Sequence, residues 1–254
     1  MTKKPISKAP TRVPGKAKTV RSASTSTTAA AGATTGATRS LTVTLKKSHK
    51  KTTSQQAWLM RQLNDPYVAA AKAQGWRSRA AFKLIELDDK FKMITKGSRV
   101  VDLGAAPGGW AQVAVKRGAA KVVGVDLLPI DPVQGAEMIV GDFNDPEMPR
   151  ILTDMLGGKA DLVMSDMAPN TTGHSATDHL RIIALAEMAL EFALDILAPG
   201  GAFIAKVFQG GTEKNMLAPM KQHFAVVRHA KPPASRKGSS EQYVVATGFK
   251  GREG

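Results

Sequence analysis

From Gly97 onward, apolar residues come in short runs closed by glycine, proline or an acid, and helix-compatible stretches lie between the runs. The runs predict strands near 99–103, 121–126, 137–140, 160–165, 201–208, 224–228 and 242–248. The stretches between them predict helices near 108–117, 146–156, 178–197 and 212–222. Alternation of this kind gives a mostly parallel sheet of seven strands with helices on both faces. Ahead of it, Ser54 to about Lys96 reads as helical, interrupted at Asp65-Pro66-Tyr67. Ser78 is placed to cap a helix running from Arg79 to Leu87, with Phe82, Ile85 and the leucines facing inward. Ala198-Pro199-Gly200-Gly201 is a stop signal between the longest helix and the next strand. No internal repeat interrupts this plan.

Composition changes the picture mainly at the N-terminus. The 254 residues suffice for one domain with extensions, and the net charge is +15. Twelve of the 36 Lys and Arg fall within residues 1–51, and no acid precedes Asp65. The rest of the chain is near balance, with 24 basic against 21 acidic residues. Residues 1–53, rich in Lys, Thr, Ala and Ser, carry too few large apolar side chains to offset chain entropy, and so read as a disordered basic tail. Such a tail suits an electrostatic arm for RNA phosphates. A solubilising tail and an organelle transit segment are the other readings, the last weakened by the lack of an amphipathic face. With no cysteine, disulfides and thiolate metal sites are excluded and a cytoplasmic protein is expected. No run is apolar and long enough for a bilayer span. The five histidines show no zinc spacing, so no metal site is expected. Monomer is the expected state.

The candidate chemistry begins at Val100-Val101-Asp102-Leu103-Gly104-Ala105-Ala106-Pro107-Gly108-Gly109-Trp110, a strand, a glycine turn and a helix start. Asp126 closes the next apolar run, where a carboxylate suits the two hydroxyls of a ribose. A dinucleotide turn needs glycine where Ala106 stands, and Pro107 has no N–H for a pyrophosphate. The turn therefore fits an adenosine ligand without phosphates, S-adenosylmethionine rather than NAD.

Polar residues at the strand ends sharpen this reading. Asp142 ends the third strand and can accept the adenine amino group, with Phe143 beside the ring, although a turn-capping role is the plainer one. Asp166 ends the fourth strand, so Asp126, Asp142 and Asp166 all lie where open α/β sheets bind ligands. Lys206 interrupts the apolar run Ala202-Phe203-Ile204-Ala205-Lys206-Val207-Phe208; a buried ammonium requires a partner and often marks function. Glu241, before the last strand, is ambiguous by itself. Arg77, Arg79 and Lys83 cluster at one helix start, as a solvated face or a grip on phosphates.

Residues 55–250 closely resemble the FtsJ-type (RrmJ) family of bacterial 23S ribosomal RNA ribose 2′-O-methyltransferases. The resemblance rests on Arg77-Ser-Arg-Ala-Ala-Phe-Lys83-Leu, Val101-Asp-Leu-Gly-Ala-Ala-Pro-Gly-Gly-Trp110 and Asp126-Leu-Leu-Pro-Ile-Asp-Pro132. It continues through Gly141-Asp-Phe143, Met164-Ser-Asp-Met-Ala-Pro-Asn170, Leu197-Ala-Pro-Gly-Gly201, Lys206-Val-Phe-Gln-Gly210 and Tyr243-Val-Val-Ala-Thr-Gly248. It implies a Rossmann-like class I S-adenosylmethionine-dependent methyltransferase fold over residues 54–254, with a helical segment at 54–96 and the α/β core at 97–250. It implies a catalytic tetrad of Lys83, Asp166, Lys206 and Glu241, and cofactor contacts from Gly108, Trp110, Asp126, Asp142 and Asp166. The implied substrate is a ribose, a uridine, in 23S rRNA of the large subunit. Arg236-Lys-Gly-Ser-Ser-Glu241 replaces a more Arg-rich version of the family pattern. Asn170 to Asp178 reads as a mobile loop closing over RNA. A tRNA or mRNA-cap ribose methyltransferase, and a non-catalytic assembly factor on the same fold, remain the alternatives.

Overall fold

The computed structural model describes residues 52–169, 172–209 and 214–252, all within one compact unit. The expected basic tail falls on residues outside this range, save Thr52 and Thr53. These two begin a helix: Thr52 and Gln55 form a reciprocal capping box at the start of α1 (Thr53–Leu63). Asp65 accepts the Tyr67 N–H at 3.0 Å and Pro66 occupies the first turn of α2 (Pro66–Ala73), so the expected break is a helix restart. Next comes α3 (Ala80–Phe91), followed by β1 (Arg99–Leu103), α4 (Gly109–Lys116), β2 (Lys121–Asp126) and β3 (Glu137–Val140). Then follow α5 (Met148–Leu156), β4 (Ala160–Ser165), α6 (Ser175–Ile196), β5 (Leu197–Phe208), α7 (Lys214–His223), β6 (Phe224–Ala230) and β7 (Glu241–Phe249).

The seven strands form one sheet in the order β3-β2-β1-β4-β5-β7-β6. The first five are parallel, and β7 runs antiparallel between β5 and β6. Side chains alternate between two apolar clusters, as a pleated strand requires. Val101, Leu103, Val163, Phe203 and Val244 pack toward α5, α6 and α7. Val100, Leu162, Met164, Ile204 and Tyr243 pack toward α3 and α4. Order reverses between β1 and β4, which puts the ligand-binding crevice beyond their carboxyl ends.

Three details depart from expectation. Ser78 caps nothing: Arg79 is the N-cap of α3 without a side-chain bond, and the Ser78 hydroxyl has no partner. A β-carbon at Gly109 would meet Ser78 Oγ at 2.8 Å, so the serine is a small spacer between the starts of α3 and α4. On α3 the fully buried leucines are Leu84 and Leu87, whereas Phe82 is half-buried against the Tyr67 ring at 5.3 Å. The Ala198–Gly201 turn is absorbed into β5, because Leu197 already pairs with Ala160 and the register shifts before Leu162 meets Ala202.

The far end of α3 is closed by a buried carboxylate. Lys92 caps the helix with φ 53°, and Asp88 Oδ1 accepts the N–H groups of both Met93 and Ile94 at 2.8 Å. Arg117 Nη1 stands 3.3 Å from the other oxygen. Asp88→Ala leaves two buried amides unpaired and should cost about 2–4 kcal/mol in denaturant unfolding. Asp88→Asn keeps an acceptor for both amides and should lose less than half of that.

Candidate active site

The glycine turn after β1 is pinned from two directions. Gly104 and Ala105 donate to Val125 O at 2.9 and 3.1 Å, and Ala106 donates to Asp126 Oδ2 at 2.9 Å. Asp126 Oδ1 accepts from Leu128 N at 2.9 Å, so both carboxylate oxygens are fixed by backbone amides beside the crevice. Gly104 has φ +77°, and a β-carbon there would lie 2.8 Å from Met167 backbone atoms. No other residue fits where the loops after β1 and β4 meet. Gly108, at φ +100°, leads into α4, whose first amides lack helical partners and face the crevice end of the sheet. Asp142 is exposed, and the Asn144 backbone and side-chain N–H groups hold its carboxyl below the usual range.

Two expected neighbours of a cofactor are turned inward. The Trp110 indole is buried, donates its N–H to Ala80 O at 2.8 Å and lies 5.6 Å from the Tyr243 ring. Only its backbone is left for a ligand. Phe143, expected beside an adenine ring, is buried edge-on against Phe192 at 5.5 Å.

The basic cluster at the start of α3 is internally satisfied and offers no phosphate grip. Arg77 donates to the carbonyls of Pro107, Asp131 and Pro132, clipping the glycine turn to the loop after β2. Arg79 pairs with Asp65 at 3.0 Å and donates to Ala234 O. Lys83 is mostly buried and donates to Glu241 at 2.7 and 2.8 Å.

Lys83, Asp166, Lys206 and Glu241 are brought together, and Tyr243 joins them. Lys206 Nζ donates to Asp166 Oδ1 at 2.9 Å and to Asp166 O at 2.6 Å, with 10% of the lysine side chain exposed. The Tyr243 hydroxyl donates to Asp166 Oδ1 at 2.9 Å and accepts from Lys83 Nζ at 3.3 Å. Register explains the meeting: Lys206 of β5 pairs directly with Tyr243 of β7, and Glu241 lies two residues away on the same face. Burial pushes the Asp166 carboxyl up, but the Lys206 and Lys83 cations outweigh it and hold it below the usual range. Burial, then the Asp166 and Glu241 carboxylates, push the Tyr243 phenol well up, so it remains a donor. Sequence reasoning missed Tyr243, although a tyrosine two places after Glu241 in an apolar strand was a signal at period two.

The segment before β7 presents Glu241. Ser235 Oγ donates to Glu241 Oε1 at 2.8 Å, and Ser239 Oγ accepts from Glu241 N at 3.1 Å. Glu86 of α3 accepts from Ala234 N at 2.7 Å, tying this segment to the helix that carries Lys83. In the expected loop, Asn170 and Thr171 lie outside the described residues. Its second half is organised by Asp178, which accepts from Thr172 N and Oγ1 at 2.7 and 2.8 Å. Among the described residues, no three His, Asp or Glu side chains converge as a metal site. None of the described helices is long and apolar enough to cross a membrane.

A doubly wound sheet with acids at successive strand ends, and a lysine–carboxylate network beside its switch point, defines a Rossmann-like enzyme of the methyltransferase class. The chain belongs to the FtsJ-like methyltransferase family, whose model matches residues 76–249. It is 74% identical over 212 residues to the ribosomal RNA large subunit methyltransferase E of Granulibacter bethesdensis, covering 84% of this chain and 92% of that protein. The protein of the same name from Gluconobacter oxydans is 67% identical over 242 residues, covering 95% and 90%. A solved structure described as a ribosomal RNA methyltransferase from Plasmodium falciparum superposes with a TM-score of 0.63 at 31% identity. It covers 70% of this chain and 100% of its own.

Beneath the site, Asp102 is fully buried and neither carboxyl oxygen has a hydrogen-bond partner of good geometry. Burial, then the Asp166 and Asp126 carboxylates, push its carboxyl well up against the opposing pull of the Ala111 amide. A folded-state value above the unfolded value of about 3.9 contributes stability at low pH and loses it as pH rises. Asp102→Asn should therefore gain thermal stability relative to the parent between pH 5 and pH 8. A difference that does not change with pH would show an ordinary, ionised Asp102.

Proposed function

We propose that this chain methylates the 2′-hydroxyl of a ribose, a uridine, in 23S rRNA of the large ribosomal subunit, using S-adenosylmethionine. The observation that carries the reading is the anchoring of Lys206 Nζ by two Asp166 oxygens at the end of β4. The names of the most similar relatives supply the substrate class.

The residues fit the cofactor. Asp126, immobilised by two amides, would hold the ribose hydroxyls, and the exposed Asp142 would accept from the adenine amino group. Gly108, the Trp110 backbone and Asp166 would hold the amino-acid portion. When bound, S-adenosylmethionine supplies a methyl group activated on a sulfonium.

A ribose hydroxyl is a weak nucleophile, so the protein's part is alignment and proton handling. An ammonium has three donors, and Asp166 takes two of those on Lys206. The third position serves the hydroxyl: it receives the proton if Lys206 is neutral, or stabilises the alkoxide if it is charged. Asp166, kept ionised by its lysines, holds Nζ in place. Lys83 and Tyr243 fix that carboxylate from the other side, and Glu241 balances the Lys83 charge. The twelve cations of residues 1–51 fit an arm for RNA phosphates, and the absence of cysteine fits a reducing cytoplasm.

Labelled-methyl transfer to unmodified large subunits, naked ribosomal RNA and tRNA tests this. Label should enter the large subunit. Lys206→Ala should lower kcat by about 10²- to 10⁴-fold while cofactor affinity is nearly unchanged. An equal loss of cofactor affinity would remove Lys206 from the chemistry. Label in tRNA would overturn the target, and no label with cofactor bound would favour an assembly factor. Tyr243→Phe keeps the ring but removes the hydroxyl between Lys83 and Asp166, and should lower kcat about ten- to a hundredfold.

A further inference from the structure

A second recess lies outside the catalytic network, between the end of α2, the outer side of α4 and the loop after β2. It is a cleft of about 240 Å³, and Gln74, Trp76, Arg77, Gln112, Lys116 and Gln134 line it. Sites for drug-sized ligands run to roughly 300–1,000 Å³, so this one suits a single planar ring rather than a whole nucleoside cofactor.

Its parts differ in how they are held. The half-buried Trp76 indole packs on the α3–α4 core and donates its N–H to Gln74 Oε1 at 3.1 Å. Gln112 is fixed by accepting from Arg77 N at 2.9 Å and donating to Gly75 O at 3.3 Å. Arg77 also donates to Pro107 O, so the cleft shares a wall with the glycine turn of the crevice. Lys116 is different: its Nζ lies 4.7 Å from the Trp76 ring centroid, and it makes no ion pair among the described residues. Gln74 and Gln134 present exposed carboxamides.

A fixed aromatic plane, carboxamides at its edge and a cation held only by the ring are the components of a single-stranded nucleic-acid subsite. We propose that the cleft takes one unstacked base of the RNA, at a position in the strand other than the methylated nucleotide. The base stacks on Trp76, and Lys116 moves from the ring to a neighbouring phosphate. An exposed cation–π contact is weaker than base stacking on an indole, so the exchange is favourable. The inference rests on the RNA-substrate reading above and deepens it.

The test is steady-state methylation of large subunits and of naked ribosomal RNA by the full chain carrying Trp76→Leu, Trp76→Phe or Lys116→Gln. Trp76→Leu should raise KM for both RNAs about tenfold with kcat unchanged, and Trp76→Phe should recover most of it. The difference in tryptophan emission between the parent and Trp76→Leu should be quenched by a mixed-sequence single-stranded oligoribonucleotide. If Trp76→Leu does not fold, Lys116→Gln and the quenching of the parent decide. An unchanged KM with no quenching overturns the proposal. A KM shift on subunits but not on naked RNA also overturns it, pointing to a protein contact. A parent chain that methylates no RNA defeats the functional reading itself, whereas an active parent with unaltered variants defeats only this one.

Discussion

The site depends on holding the half-buried Asp166 carboxylate ionised between two lysines and a tyrosine hydroxyl. Burial by itself pushes that carboxyl up, toward its protonated form. Lys206, Lys83 and the Tyr243 hydroxyl prevent this from three elements: β5, α3 and β7. Removing one partner from such a network leaves a buried charge exposed to its desolvation cost, so the parts stand or fall together. Asp166 is itself set by its amide, which donates to Leu103 O at 3.1 Å and extends the β1–β4 pairing by one bond.

That requirement accounts for the helical segment ahead of the sheet. Lys83 reaches Glu241 and Tyr243 because α3 lies against α4 and its far end is closed by Asp88. Arg79 and Glu86, also on or beside α3, hold the segment that delivers Glu241. The contacts from Glu86 and Arg79 to Ala234 span 148 and 155 residues of sequence, yet the helix and this segment form one wall of the site. Arg77 performs the matching task on the other side, where its guanidinium locks the glycine turn against the loop after β2. The cations that invite a phosphate-binding interpretation are therefore structural clips, and the cleft beside Trp76 offers a different kind of contact, a stacking plane with a displaceable lysine.

Asp102 shows how closely the site is bounded by its own charges. It lies below the crevice within reach of the fields of Asp166 and Asp126. Were all three ionised without compensation they would repel one another, and burial together with the two neighbouring carboxylates pushes the Asp102 carboxyl well up. The lysines converge instead on Asp166, whose carboxyl they hold below the usual range.

Much of this architecture was written locally. Short apolar runs ended by Gly, Pro or Asp placed all seven strands to within a few residues, most plainly the parallel central ones, which are buried on both faces and need little beyond such runs. The glycine turn and its acids were equally legible, because a turn's steric demands fall on a handful of adjacent residues. Lys206 stood out as a charge in an apolar strand, whereas Lys83, Glu241 and the tetrad as a set were known only through resemblance to a family. What tertiary structure decided was partnership. The insertion of β7 between β5 and β6 set Tyr243 opposite Lys206. Packing elsewhere turned the Trp110 and Phe143 rings into the core and used Arg77 and Arg79 on carbonyls and an acid. Those outcomes follow from strand order and register, which bring together residues far apart in the chain; a linear pattern encodes what each residue can do, and the fold settles with whom.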